Sequence, residues 1–165
     1  MPYLGYEMKK IAIILAFLMS ISSVDANDPI STTMTVFIVK ENGQLEQVIK
    51  TNQQQVKPGQ MLEYVISYKN NTSMPLNIQS ADAIVPNNTV FVESSNKTKE
   101  KADFFVSIDQ GKTFEAPPVK RIKKVEGKEI EYEVPVEQYT HVRWAGQPAI
   151  AAGSTQNYRY RVKVN

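Results

Sequence analysis

The chain has no cysteine and a single histidine in 165 residues. Without cysteine there is neither a disulfide frame nor a lipid-modified N-terminal cysteine, so no lipid anchor is expected and the fold must hold by packing alone. One histidine cannot furnish a histidine-rich metal centre, and a Ser-His-Asp relay would have to run through His141. No Gly-x-Ser-x-Gly elbow supports that relay. A dominant charge is also missing, since 19 Lys and Arg stand against 17 Asp and Glu, a net +2. Such a balance supplies no basic stripe for nucleic acid and no polybasic membrane patch, so neither is an expected partner. After Ala26 no apolar run reaches spanning length, and the end Arg159 to Asn165 carries no hydrophobic tail or sorting signal. The expectation is a mature chain with no transmembrane segment, free and not tethered.

The one long apolar run lies at the start. Lys9 and Lys10 precede Ile11 to Met19, an unbroken hydrophobic stretch too short to span a bilayer, and Val24-Asp25-Ala26 puts suitable residues at the −3 and −1 positions of a peptidase site. Residues 1–26 therefore read as a secretory signal peptide cleaved before Asn27, whether translation starts at Met1 or at Met8. Export to the periplasm or the medium follows, with residues 27–165 as one domain. The acids and bases of the leader, Glu7 and Asp25 against Lys9 and Lys10, cancel, so the mature charge stays at +2.

Period-two alternation dominates what remains, and no window holds apolar residues at helical spacing. In Leu62 to Lys69, Leu62, Tyr64, Ile66 and Tyr68 point one way and Glu63, Ser67 and Lys69 the other, with Val65 interrupting the polar face. Tyr158 to Val164 alternates strictly: Tyr158, Tyr160, Val162 and Val164 on a buried face, Arg159, Arg161 and Lys163 on a wet cationic one. Turn residues separate further strands. Asn42-Gly43 divides Met34 to Val39 from Leu45 to Ile49, Lys57-Pro58-Gly59-Gln60 leads into the first strong strand, and Asp109 to Lys112 joins Phe104 to Ile108 to Thr113-Phe114. Glu126-Gly127-Lys128 divides Val119 to Val125 from Ile130 to Val134, and Tyr139 to Trp144 forms one more strand. Pro117-Pro118 bars a central strand at that point. Ser94 to Lys101, polar throughout, is expected to be a mobile loop. Seven to nine strands without helices require two sheets or a barrel, and we expect an all-β antiparallel sandwich.

Lys57-Pro58-Gly59 followed by Leu62 to Asn71 resembles the hallmark of a bacterial surface-repeat family, the conserved-repeat domain of unknown function number eleven. Ile78 to Pro86 and Thr89 to Glu93 are similar to its next strands, with Asp82 and Pro86 near the family's Asp and Pro. Phe105 to Phe114 and Thr140 to Trp144 with Ala149 to Gly153 look like segments of single-copy periplasmic relatives. The likeness covers most of residues 56–164. It implies an immunoglobulin-like fold, a place outside the cytoplasm of bacteria, a structural or adhesive role and no catalytic residues. Tandem arrays and wall anchors are common in the family, whereas this chain holds one copy and has extra strands before Val56.

Candidate chemistry is sparse. His141, flanked by Val142 and Trp144, reads first as one more half-buried strand position. Asp103, Asp109 and Glu115, and Glu126, Glu129, Glu131 and Glu133, could offer oxygens to calcium, but the second set is the pattern of a solvated strand face opposite lysines. A Lys-Asn isopeptide bond through Lys69 or Lys163 would need a buried neutral lysine, and both fall on wet faces. Tyr139, His141, Trp144, Tyr158 and Tyr160 could form an aromatic binding surface; strict alternation points instead to core rings. Asn70, Asn71, Asn87 and Asn96 open Asn-x-Ser/Thr sequons that read as turn residues. No catalytic, cofactor-binding or metal-binding residue is assigned, and no cofactor is expected.

The expectation is a non-catalytic exported module with a structural, adhesive or protein-binding role in the bacterial envelope, its partner another envelope or surface protein. A first alternative is a fibre subunit whose Ser31 to Lys40 adds to the open edge of the next protomer. A second is a hydrolase or metal-dependent enzyme built on His141.

Overall fold

The structure, a computed structural model, describes residues 28–48 and 56–165. The expected leader 1–26, its cleavage site and Ile49 lie outside the described residues. Eleven strands and one short 3-10 helix form the regular structure, with no α-helix among the described residues. In chain order they are β1 (Ile30–Val39), β2 (Leu45–Gln47), β3 (Met61–Asn70), β4 (Ser80–Ile84), β5 (Thr89–Phe91), β6 (Lys97–Thr98), β7 (Asp103–Ser107), β8 (Lys120–Val125) and β9 (Lys128–Glu133). The 3-10 turn Val136–Gln138 then leads to β10 (His141–Ala145) and β11 (Thr155–Val164).

All pairings are antiparallel. The larger sheet runs β2-β1-β3-β11-β5, with β6 also on β11; the smaller runs β4-β10-β7; β8 and β9 pair only with each other. The strongly alternating strands β3 and β11 are neighbours at the centre of the larger sheet, since only a strand covered on one face throughout needs such strict alternation. Their register puts Tyr64 opposite Tyr160 and Ile66 opposite Tyr158, so the apolar sets share one face.

That face meets the inner face of the smaller sheet, where Ala81, Ala83, Val106, Val142 and Trp144 are buried. Rings bridge the two layers. Tyr64 stacks on Tyr160 at 5.1 Å, Trp144 lies 5.5 Å from Tyr158 and 6.3 Å from Tyr160, and Phe104 lies 5.2 Å from Trp144. Small Ala81 and Ala83 on β4 leave room for Trp144 on the adjacent β10, interdigitation that closes a core lacking any crosslink. Buried tyrosine hydroxyls find partners within the core: Tyr160 donates across the layers to Ile84 O at 2.7 Å, Tyr158 donates to Gln156 Oε1 at 2.9 Å, and the Tyr139 hydroxyl accepts from Val119 N at 3.4 Å.

Three local expectations are corrected. Ser94 to Lys101 is not a free loop, because β6 pairs with Tyr158 and Arg159, and Arg161 N donates to the buried Ser95 Oγ at 2.9 Å. A polar segment can be held when the backbone edge it covers would otherwise stay unpaired. Thr113-Phe114 forms no strand; Glu115 makes an isolated bridge to Val106 instead. The strand expected from Tyr139 begins at His141, since Tyr139 caps the 3-10 turn through its backbone N–H. The turn readings hold at Asn42-Gly43, where Gly43 has φ 79° and Gln44 N donates to Asn42 Oδ1 at 3.0 Å, and at Lys57 to Gln60.

Candidate functional site

The aromatic surface raised for Tyr139, His141, Trp144, Tyr158 and Tyr160 is not present as a surface. Tyr139, Trp144, Tyr158 and Tyr160 are buried in the core, and only the half-buried His141 faces outward. The physical reason is register: Trp144 and Val142 share the inner face of β10, and His141 and Arg143 the outer one. Burial holds the Tyr64 and Tyr158 phenols at about 12 and lifts that of Tyr160 well above its ordinary value.

On the outer face of the smaller sheet, Arg143 is clamped by Asp82, with Nε and NH2 at 2.8 and 2.6 Å from the carboxylate oxygens, and the Phe114 ring lies 3.7 Å from its guanidinium carbon. The loop after β7 carries Phe114 there. Its frame is Asp109, whose carboxylate accepts from Ser107 Oγ (2.7 Å), Lys112 N (3.1 Å), Thr113 N (2.9 Å) and Thr113 Oγ1 (2.6 Å). Those donors hold the carboxyl well below the ordinary carboxylate range, the Thr113 hydroxyl contributing most. Gly111 (φ 80°) crosses the His141 ring so closely that a Cβ there would lie 3.3 Å from Cδ2 and Nε2.

His141 is therefore roofed by backbone. Its Nδ1 lies 3.2 Å from Thr140 Oγ1, and burial lowers its pKa, partly offset by the charges of Asp82 and Asp109. Ser107 sits directly opposite His141, yet its hydroxyl donates to Asp109 and accepts from Gly111 N at 2.9 Å. The three residue types of a relay meet here, but serine and acid are bonded to each other to shape a turn.

The acidic sets do not converge either. Among the described residues no three His, Asp or Glu side chains are grouped as metal ligands. Glu115 is bonded to Arg121 at 2.9 and 2.5 Å, and Glu131 to Lys120 at 2.9 Å. Lys69 and Lys163 are exposed. Asn70 departs from the turn reading: it is fully buried and bonds Met74, Ile150 and Thr72 together, whereas its neighbour Asn71 is exposed.

The most unusual surface is the β8–β9 ribbon. It belongs to neither sheet, and apart from half-buried Arg121 every residue of both strands is exposed, including Ile122, Val125, Ile130 and Tyr132. Val119 and Val134, both buried, anchor its base, and Val134 N donates to Val119 O at 2.8 Å. Register puts Lys120 and Lys124 on one face with Glu133 and Glu129, and Lys123 over the Tyr132 ring at 5.2 Å on the other. The sequence shows this hairpin and its charge pairing; its projection from the body is invisible there, because the alternation of a free ribbon and of a sheet edge look alike.

On the larger sheet, the strand Ser31 to Lys40 considered as a donor is bonded along its length to β3 of its own chain. Among the described residues no helix is long and apolar enough to cross a membrane. Comparison with protein-family models, curated proteins and solved structures finds no match to this chain.

Proposed function

We propose that the protein is an exported, non-catalytic immunoglobulin-like module of the bacterial cell envelope that binds another envelope protein through its β8–β9 ribbon. The observation that carries the reading is the exposure of Ile122, Val125, Ile130 and Tyr132 on a ribbon standing outside both sheets. A lone two-stranded ribbon is at best marginally stable in water, and its open edges are templates for a third strand.

Charge argues for a different protein as occupant, not a second copy. Two-fold pairing along β9 would set Glu129, Glu131 and Glu133 against their own kind, and along β8 it would do the same with Lys120, Lys123 and Lys124. Stacking β9 of one copy on β8 of the next matches charge but needs a repeat of about 10 Å, too tight for a body two sheets thick. The immunoglobulin-like assignment draws support from the chain's passage between sheets, from β3 to β4, back to β5, over to β7 and back from β10 to β11. The family resemblance at Lys57 to Asn71 and the leader at 1–26 support the bacterial and extracytoplasmic parts.

The test replaces Lys120 to Glu133 by a two-residue turn joining Val119 to Val134. The shortened protein should keep its fold and export, and should lose one discrete partner that crosslinks to the wild type in intact cells. Loss of folding on excision, or an unchanged crosslinked species, would overturn the assignment of the ribbon.

A further inference from the structure

A second surface has a different chemistry. Where β6 pairs with β11, a cleft of about 440 Å³ is lined by Lys97, Thr98, Lys99, Glu100, Thr155, Asn157 and Arg159. This volume falls toward the lower end of the range for small-molecule sites.

Its electrostatics are incomplete within the chain. Lys97 stands directly opposite Arg159, so two cations share one face of a strand pair, an arrangement that costs stability. Neither Lys97 nor Lys99 has an ion-pair partner among the described residues. Arg159 reaches Glu63 only at 3.4 Å, and that carboxylate is held more closely by Arg161 at 2.8 Å. Three cations thus line the cleft with one acid, half-buried Glu100, and leave it with an excess of positive charge. The neutral members are hydrogen-bonding groups: the Thr98 and Thr155 hydroxyls, and Asn157, whose Oδ1 accepts from Ser67 Oγ at 2.6 Å and so leaves its NH2 to donate elsewhere.

No aromatic ring and no aliphatic side chain lines the cleft, so neither stacking on a base nor burial of an apolar group is offered. The walls are fixed: Arg161 N holds Ser95 Oγ at 2.9 Å, and Glu100 N donates to Thr98 Oγ1 at 3.1 Å. From these observations we infer that the β6–β11 cleft binds an acidic sugar, the cations taking a phosphate or carboxylate and the hydroxyl and amide groups the ring hydroxyls. An acidic peptide would also satisfy the cations and could bond those groups through its backbone, so tetraglutamate is the comparison that separates it from a sugar.

Binding requires only the folded chain, so it stands apart from the envelope role and from the ribbon. The purified protein is titrated calorimetrically with glucose 6-phosphate, glucuronate, glucose, inorganic phosphate and tetraglutamate. Saturable one-to-one binding of the first two is expected, at least about tenfold tighter than glucose or phosphate. Lys97→Gln and Lys99→Gln, both exposed and outside the core, should each weaken it by about three- to tenfold and lower its salt dependence without lowering the unfolding midpoint, which relief of the Lys97–Arg159 repulsion can only raise. Glucose binding as tightly as glucose 6-phosphate, phosphate alone matching it, tetraglutamate exceeding it, no binding of any probe, or indifference to both substitutions would each overturn the inference.

Discussion

Asn70→Ala provides a sharp test of how this crosslink-free fold is held. Asn70 is fully buried, and its Nδ2 donates to Met74 O at 2.7 Å and Ile150 O at 2.9 Å. A third approach, to Ala151 O at 3.3 Å, shares one of the same two hydrogens. Oδ1 accepts from Thr72 N and Thr72 Oγ1, both at 2.8 Å. Truncation removes four short bonds worth about 1 kcal/mol each, a ceiling of about 4 kcal/mol. Thr72 and Met74 sit at a wet turn and recover water, and Ile150 O keeps the Leu76 N–H at 3.0 Å while losing its second donor in a buried position; we therefore expect a loss of about 2–3 kcal/mol, below the ceiling. Against a domain stability of about 5–15 kcal/mol this is large.

The assay is urea unfolding followed by Trp144 fluorescence, the single tryptophan being 1% exposed. At slopes of about 1–3 kcal/mol per molar urea, the midpoint should fall by roughly 1–3 M with the slope unchanged. Asn71→Ala is the matched control. Its Nδ2 bonds to Asp28 O and Ser31 Oγ are exposed, and its loss should stay below about 1 kcal/mol. Equal losses at the two positions would refute the reasoning that burial, not the Asn-rich turn as such, gives Asn70 its weight.

Three further outcomes are expected. Glu63→Gln should cost about 1–2 kcal/mol, because the carboxylate is 5% exposed and Arg161 would lose its counter-charge; a double-mutant cycle with Arg161→Gln should give a coupling near 1 kcal/mol, and a coupling of zero would contradict it. Asp109, with its folded pKa depressed, contributes stability that is present above the unfolded value of about 3.9 and lost as pH falls from there toward the folded value, so Asp109→Asn should flatten that part of an acid unfolding profile. The buried phenols have raised folded pKa values, so their contribution is complete below about pH 10 and lost as pH climbs toward 12; phenolate absorbance of Tyr64 and Tyr158 should rise together with unfolding and not before it.

The central layer was legible in the sequence, and the periphery much less so. Leu62, Tyr64, Ile66, Tyr158, Tyr160 and Val162 are all buried, as period-two alternation requires of strands covered on one face. The same alternation expected a wet outer face, yet Glu63 and Val65 are buried there, with the Glu63 carboxylate drawn under Arg159 and Arg161. Side-chain reach across strands, not the pattern along one strand, decides that. Ser94 to Lys101 was misread because polarity reports where solvent is tolerated, not which backbone edge awaits a partner. His141, Ser107 and Asp109 show the converse: their residue types invite a catalytic reading, and only distances reveal the Ser107–Asp109 bond that shapes the turn. The ribbon and the cleft depend on how elements project and which meet, information that no single segment contains.

The central claim is that the β8–β9 ribbon is the contact surface, and photo-crosslinking in intact cells addresses it most directly. A photoreactive residue is placed at Ile122 or Tyr132 on the ribbon, and at Ile84, equally apolar and exposed but on the smaller sheet. The account predicts one adduct of the same mass from both ribbon positions, absent from Ile84 and abolished when Lys120, Lys123 and Lys124 are changed to Glu. Adducts from Ile84 alone, or none from the ribbon in a correctly exported protein, would contradict it.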